Sequence, residues 1–95
     1  MAFSLFISFN QDPGVGQGYY SAVEPLGTSG LIRTINFSGE LIRLVVTRYA
    51  GLPPVEVDVS AASEYSFAVG NIQTIGILNL GGGIASGFLE ISFPG

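Results

Sequence analysis

Apolar and polar residues alternate with a period of two over most of this chain, which is the signature of strands with one buried face. Phe3, Leu5, Ile7 and Phe9 share one parity, against Ser4, Phe6 and Ser8 on the other. Leu31, Ile35 and Phe37 form a second set that includes Arg33, and Ile42, Leu44 and Val46 oppose Arg43, Val45 and Thr47. Val55, Val57 and Val59 alternate with Glu56, Asp58 and Ser60, the cleanest half-buried strand of all. Tyr65, Phe67 and Val69 follow. Ile72–Leu80 is apolar on both parities, and Leu89, Ile91 and Phe93 close the chain.

Turn chemistry separates these runs. NQDPGVGQG, Asn10 to Gly18, holds three glycines and a proline and reads as a flexible linker or long loop, with a short strand expected around Tyr19–Val23. EPLGTSG (24–30), Ser38-Gly39-Glu40, AGLPP (50–54), Gly70-Asn71 and the Gly81–Gly83 triplet read as further turns. So short a link between the runs on either side of Ser38–Glu40 predicts a hairpin. No segment has a helical period. About eight short strands at intervals of roughly 8–12 residues predict an all-β fold, a single β-sandwich of jelly-roll or Greek-key type with an N-terminal extension. Residues 1–18 are expected to be an arm, strand plus glycine-rich linker, and residues 19–95 the sandwich domain.

Composition sharpens the picture of the surface. Of the 95 residues 47% are hydrophobic and only 11% charged, with no lysine. Globular domains usually carry about a quarter of their residues as charges, so much of this surface is suited to being covered by other subunits. Seven acidic residues against Arg33, Arg43 and Arg48 give a net charge of −4. That balance opposes nucleic-acid binding, which needs clustered cations to displace counterions. It equally opposes an anionic membrane surface. MAFSLFISFN is apolar but lacks the basic flank and cleavage site of a signal peptide, and it is too short to insert across a bilayer.

Chemistry is sparse. Histidine, cysteine and tryptophan are absent, which removes the usual neutral-pH base, the thiolate and the commonest metal ligands. No catalytic residue, cofactor or metal site is expected, and the chain is read as a non-enzyme. Glu56 and Asp58 share a strand face. That spacing admits a carboxylate pair or a weak calcium site, but a solvated face or an ion pair to Arg43 or Arg48 accounts for it equally. Gly14-x-Gly16-x-Gly18 lacks the Lys-Ser/Thr and the following helix of a phosphate loop. Tyr19, Tyr20 and Tyr49 could stack on a sugar, or simply pack. Arg33, with apolar neighbours on its own face, calls for a carboxylate partner. Together with Arg43 and Arg48 it is a candidate for ion pairs between subunits.

The arm carries the assembly reading. Met1–Phe9 is either the first strand of its own sandwich or an extension that pairs with a neighbouring subunit's sheet edge. In the second case Phe3, Leu5, Ile7 and Phe9 are the interface residues. Such a head-to-tail contact does not close on itself and generates a filament or ring. The chain also has few of the devices that block sheet edges.

From Leu31 to Phe93 the order of segments is distinctive: TINFSGELIRLVVTRY, then PVEVDVSAASEYSFAVGNIQTIGIL, a glycine turn, and ASGFLEISF. The S-F-x-V-x-N-I-x-T-I stretch and the small-Ser-Gly start of the last run resemble the jelly-roll subunits of bacterial endospore appendages, the pilus-like fibres on spores. The resemblance implies a self-assembling fibre subunit whose sheets pair with neighbours, whose N-terminal connector reaches into another subunit, and which has no signal peptide. Connectors in that family carry cross-linking cysteines, and this chain has none. Packing of Phe3, Leu5, Ile7 and Phe9, at roughly 1.5–3 kcal/mol for each fully buried side chain, would have to hold the arm instead. The expected function is therefore a structural subunit of an extracellular or spore-surface fibre, its partners copies of itself in a homopolymer. A phage or virus decoration or tail protein and a small carbohydrate-binding jelly roll are the alternatives.

Overall fold

The computed structural model of the chain describes residues 3–21 and 28–93, without the side chains of Phe3 and Thr28. The described residues form seven strands and no helix: β1 (Phe3–Gln11), β2 (Gly16–Ser21), β3 (Thr28–Asn36), β4 (Ile42–Arg48), β5 (Val55–Val59), β6 (Glu64–Asn79) and β7 (Ala85–Phe93). Most of the turn expected over 24–30, the end of the strand expected to Val23, and Met1 lie outside the described residues.

All pairings are antiparallel, in the order β1-β7-β3-β6-β4-β5, with β2 also on β6. The first half of β6 pairs with β3, and its second half lies between β2 and β4. One continuous ladder thus folds over along β6 into two layers, β1-β7-β3-β6 and β2-β6-β4-β5. Ring contacts across the layers show the faces opposed. Phe9 of β1 meets Tyr19 of β2 at 6.4 Å between centroids, and Tyr20 of β2 meets Phe93 of β7 at 5.4 Å, although neither pair of strands shares a ladder.

The inward parity of each strand fills one core. Ile42, Leu44, Val46, Val59, Leu89, Ile91 and Phe93 are buried, as their alternation requires. In β3 the expected face is reversed: Ile32, Thr34 and Asn36 are buried, whereas Leu31 and Phe37 are exposed and Arg33 and Ile35 only half-buried, because the parity that carries Arg33 faces outward to its carboxylate partners. β6 departs from strict alternation, because Val69, Ile72 and Ile75 are all buried at intervals of three. Two bulges make this possible. Between Thr28↔Ile72 and Gly30↔Val69 β6 takes an extra residue, and it takes another between Thr47↔Thr74 and Arg48↔Ile72. Each added residue flips the following side chains to the other face. At the first bulge Asn71 adopts φ 57°, a left-handed conformation that asparagine tolerates better than most residues.

Four further expectations are corrected here. Gly70-Asn71 is not a turn between strands but the bend at which β6 passes from one layer to the other. The Ser38–Glu40 connection is no hairpin, since β3 pairs with β6 and β7 whereas β4 pairs with β5 and β6. Among the described strands only β4 and β5 are both consecutive and paired. The Asn10–Gly18 stretch is no flexible linker: β1 continues to Gln11 and β2 begins at Gly16, with a tight turn between them. In that turn the Val15 N–H donates to Asp12 O at 3.2 Å, and Gly14 takes φ 74° after Pro13. Nor does the chain divide at residue 18, because β1 is a sandwich strand of the same unit, with Phe9 and Gln11 buried in it.

Candidate assembly surface

β1 lies along the margin of its layer. It pairs with β7 over nine residues, Phe3↔Phe93 to Gln11↔Ala85, and with no second strand among the described residues. Its sequence, FSLFISFNQ, has no charge and no proline. An edge of that length without lysine, proline or bulge is a template for another strand. The four apolar residues expected to form an interface are not equivalent. Phe9 is 3% exposed and packs over Gly87, Ile7 is half-buried and Leu5 is exposed. Phe3 pairs through its backbone. Phe9 therefore belongs to the core of its own chain. The glycine it covers is required: a Cβ on Gly87 would stand 1.9 Å from Ile35 O and 2.8 Å from the Phe9 ring. This gives a physical reason for the small-Ser-Gly start of β7.

The outer face of this layer is aromatic. Phe6 (57% exposed) and Phe37 (62% exposed) flank Phe88, at 4.9 and 5.2 Å between ring centroids. Arg33 projects from the same face, with its Nε donating to Glu64 Oε1 at 2.8 Å and its Nη1 3.5 Å from Glu90. Arg43 donates to Asp58 at 2.8 Å, and Arg48 Nε to the Gly70 carbonyl at 2.9 Å. All three arginines offered as inter-subunit cations thus find partners within their own chain. The hydrogen bond from Arg43 holds the Asp58 carboxyl below the usual carboxylate range, and that from Arg33 does the same for Glu64. Glu56 and Asp58 do share an exposed face, with Asp58 turned to Arg43.

One end of the sandwich is built from polar groups whose role the pattern did not disclose. Gln11, Asn36 and Asn79 are buried where β1, β3 and β6 end. Gln11 Nε2 donates to Val15 O and Ile77 O at 2.8 and 2.9 Å, and its Oε1 accepts from the Tyr19 hydroxyl at 2.7 Å. Asn36 Nδ2 reaches the carbonyls of Glu40 and Ser60, while its Oδ1 accepts from Ser38. Asn79 Nδ2 donates to Gln11 O and Gly83 O, and its Oδ1 accepts from Gly81 N. The Glu40 carboxylate accepts from Gly83 N at 2.6 Å. Buried amides must be matched to be tolerated, and here the matching fastens four loops (12–15, 37–41, 60–63 and 80–84) to one another. Asparagine and glutamine beside glycine look like ordinary turn residues in sequence. Their burial depends on tertiary neighbours.

Tyr19 is half-buried with its hydroxyl engaged, and burial raises its pKa. Tyr20 stacks on Phe93. Neither offers an open ring for a sugar. Among the described residues no group of three or more acidic side chains stands together as a metal site, and no helix is long and apolar enough to cross a membrane.

No protein-family model matches the chain, and no curated protein sequence does. Solved structures do. A protein of Bacillus endospore appendages, a family of disulfide-linked pili, superposes with a TM-score of 0.68 at 13% identity, over 97% of this chain and 87% of that one. This chain has a jelly-roll fold. The capsular polysaccharide assembling protein CapF of Staphylococcus aureus matches 90% of it at TM-score 0.65 and 16% identity, and the match spans 22% of CapF. The C-terminal CBM6 of the laminarinase LamC from Zobellia galactanivorans matches at TM-score 0.55 and 15% identity, over 94% of this jelly roll and 98% of that module. The likeness to the appendage protein matches, at the level of fold, the resemblance carried by residues 31–93.

Proposed function

We propose that this jelly roll is a structural subunit that polymerises into a fibre on a cell or spore surface, its partners being further copies of itself. The observation that carries the reading is β1, a nine-residue edge strand with no charge and no proline, on a fold like that of an appendage pilus protein. Main-chain pairing along that edge gives affinity, and the exposed Leu5 and Phe6 on the two faces of the strand give side-chain contacts to an incoming strand. The N-terminal arm of the sequence reading takes a narrower form here. Leu5 and Phe6 are the contact residues, while Ile7 and Phe9 anchor the strand at home.

The test is electron microscopy of negatively stained protein, with sedimentation over a concentration series. Filaments or rings are expected from the wild type. Ser8→Lys with Asn10→Lys places two cations on exposed positions of β1 without touching the core. The double variant should stay folded and raise the concentration needed for assembly by at least about tenfold, the effect of roughly 1.4 kcal/mol. A wild-type chain that remains monomeric at high concentration sinks the proposal. The CBM6-like fold supports one other reading, binding of a glycan, and a glycan array with the monomeric double variant separates the two.

A further inference from the structure

The two outer faces of the sandwich differ. Partners across a ladder share a face, so Ser8, Phe88, Ile35 and Glu64 form one outward row of the β1-β7-β3-β6 layer. Phe6, Glu90 and Arg33 stand in the next row. Phe37, whose N–H donates to Ser86 O at 3.0 Å, extends the patch beyond Ile35, and the Phe37 and Phe6 rings stay exposed on either side of Phe88. The outward positions of the other layer carry glycine (Gly16, Gly18 and Gly76) and the Arg43–Asp58 pair, and none of them is an exposed large hydrophobic residue. Phe3, Thr28 and Phe93, where the described part of the aromatic layer begins or ends, lie at its far end. Thr28 is about 30 Å of extended strand from Phe37, and Phe93 about 17 Å from Phe88.

The make-up of the patch selects what covers it. The Phe37 and Phe88 rings stand at 87° and those of Phe6 and Phe88 at 36°, so they share no plane on which a sugar would stack. Arg33, Glu64 and Glu90 lie among them, and seating the patch in lipid would strip these charges of water. A face that carries both signs can instead meet a copy of itself. Its extent sets how strongly. Three strand spacings by four residues is roughly 15 by 13 Å, on the order of 200 Å² of sheet, against about 800 Å² per partner in a stable interface. One such contact does not hold a dimer. Repeated once per subunit along a fibre, it acts at high effective concentration, and weak contacts sum to a firm one. Only a partner with the same repeat gains from this, and a second fibre of the same chain has that repeat. Pairing at the β1 edge lies in the plane of the sheet and leaves the face open.

We infer that fibres of this chain associate side by side through the Phe37–Phe88 face, each subunit laying it against the same face of a copy in the neighbouring fibre. The inference rests on the reading of the chain as self-assembling. It adds a lateral contact, weaker than the β1 edge and separate from it.

Phe37→Ser in the full chain tests it, because that change removes an exposed ring of the patch and leaves β1 untouched. Circular dichroism should show the native fold, and Phe37→Gln takes its place if the serine variant unfolds. Wild-type fibres should lie in bundles in negative-stain images and sediment at low speed. The variant should form single filaments of wild-type length at the wild-type protein concentration, with the low-speed pellet reduced at least about tenfold. Wild-type filaments that stay single overturn the lateral contact and leave edge pairing standing. Bundling by the folded variant also overturns it. So does a folded variant that forms no filaments, since Phe37 would then belong to the contact within the fibre. A monomeric wild type removes both readings together.

Discussion

At the scale of single residues, close approach decides more than propensity does. Gly87 sits where β1, β7 and β3 are nearest, and an added methyl has no route past the Ile35 carbonyl, which is backbone and cannot step aside. Gly87→Ala should therefore destabilise the fold by roughly 1–3 kcal/mol or more, as overpacking of a tight core does. The urea midpoint measures it, and a midpoint within error of wild type would falsify the assigned spacing. Charge acts more gently. Asp58 and Glu64 have carboxyls depressed by their arginines, so the folded chain binds these protons less readily than the unfolded chain. Their contribution is present above the ordinary carboxylate pKa of about 4 and is lost as pH falls through the lower folded values. Both pairs are exposed, so the loss is small. Arg43→Gln should lower stability slightly and by the same amount at all pH values above the carboxylate range, and converge on the wild type in acid once Asp58 is protonated, so that the acid limb of the pH–stability curve flattens.

At the scale of elements, most faces could be read from sequence and the neighbours could not; β3 is the exception, since it buries Thr34 and Asn36 with Ile32 and turns Leu31 and Phe37 outward. Ile42, Leu44 and Val46, or Leu89, Ile91 and Phe93, declare which parity is buried because the period of a strand is two. Nothing in that period says that β7 lies between β1 and β3, since hydrogen-bond partners are chosen by backbone groups every residue shares. Short links such as Ser38–Glu40 look the same whether they join paired strands or cross between layers. β6 is the sharpest case: a run apolar on both parities was ambiguous until bulges brought Val69, Ile72 and Ile75 to one side. The candidate site was half visible. The uncharged β1 could be read off directly, but Phe9 proved to be core, and the arginines' partners, dispersed along the chain, converge only after folding. Asn71, at the first bulge, tests the account of β6. Asn71→Gly keeps a left-handed backbone accessible and should be nearly neutral, whereas Asn71→Val should cost about 1–3 kcal/mol. Equal losses in the two variants, read from urea denaturation, would mean that side-chain bonding rather than φ governs the position.

At the scale of the whole molecule, the proposed assembly raises the question of what would hold subunits together in a chain with no cysteine. The appendage proteins it resembles in fold are disulfide-linked pili, and here that route is closed. Arg33 and Arg43 are already paired with carboxylates of their own chain and Arg48 is bonded to the Gly70 carbonyl, so ion pairs between subunits would compete with existing contacts. What remains is apolar contact and main-chain pairing, opposed by the repulsion of subunits that each carry a net charge of −4. The direction of three responses follows. A reductant should leave assembly unchanged. Added salt at pH 7 should promote assembly by screening that repulsion. Lowering the pH from 7 towards the isoelectric point near 4.3 should promote it further, as the net charge falls to zero. Light scattering of matched samples reads all three. Fibres that dissolve as salt is raised would reverse the assignment, because only attraction between opposite charges weakens on screening, and Arg33 and Arg43 would then have to exchange their own carboxylates for a neighbour's, or Arg48 its Gly70 carbonyl for one.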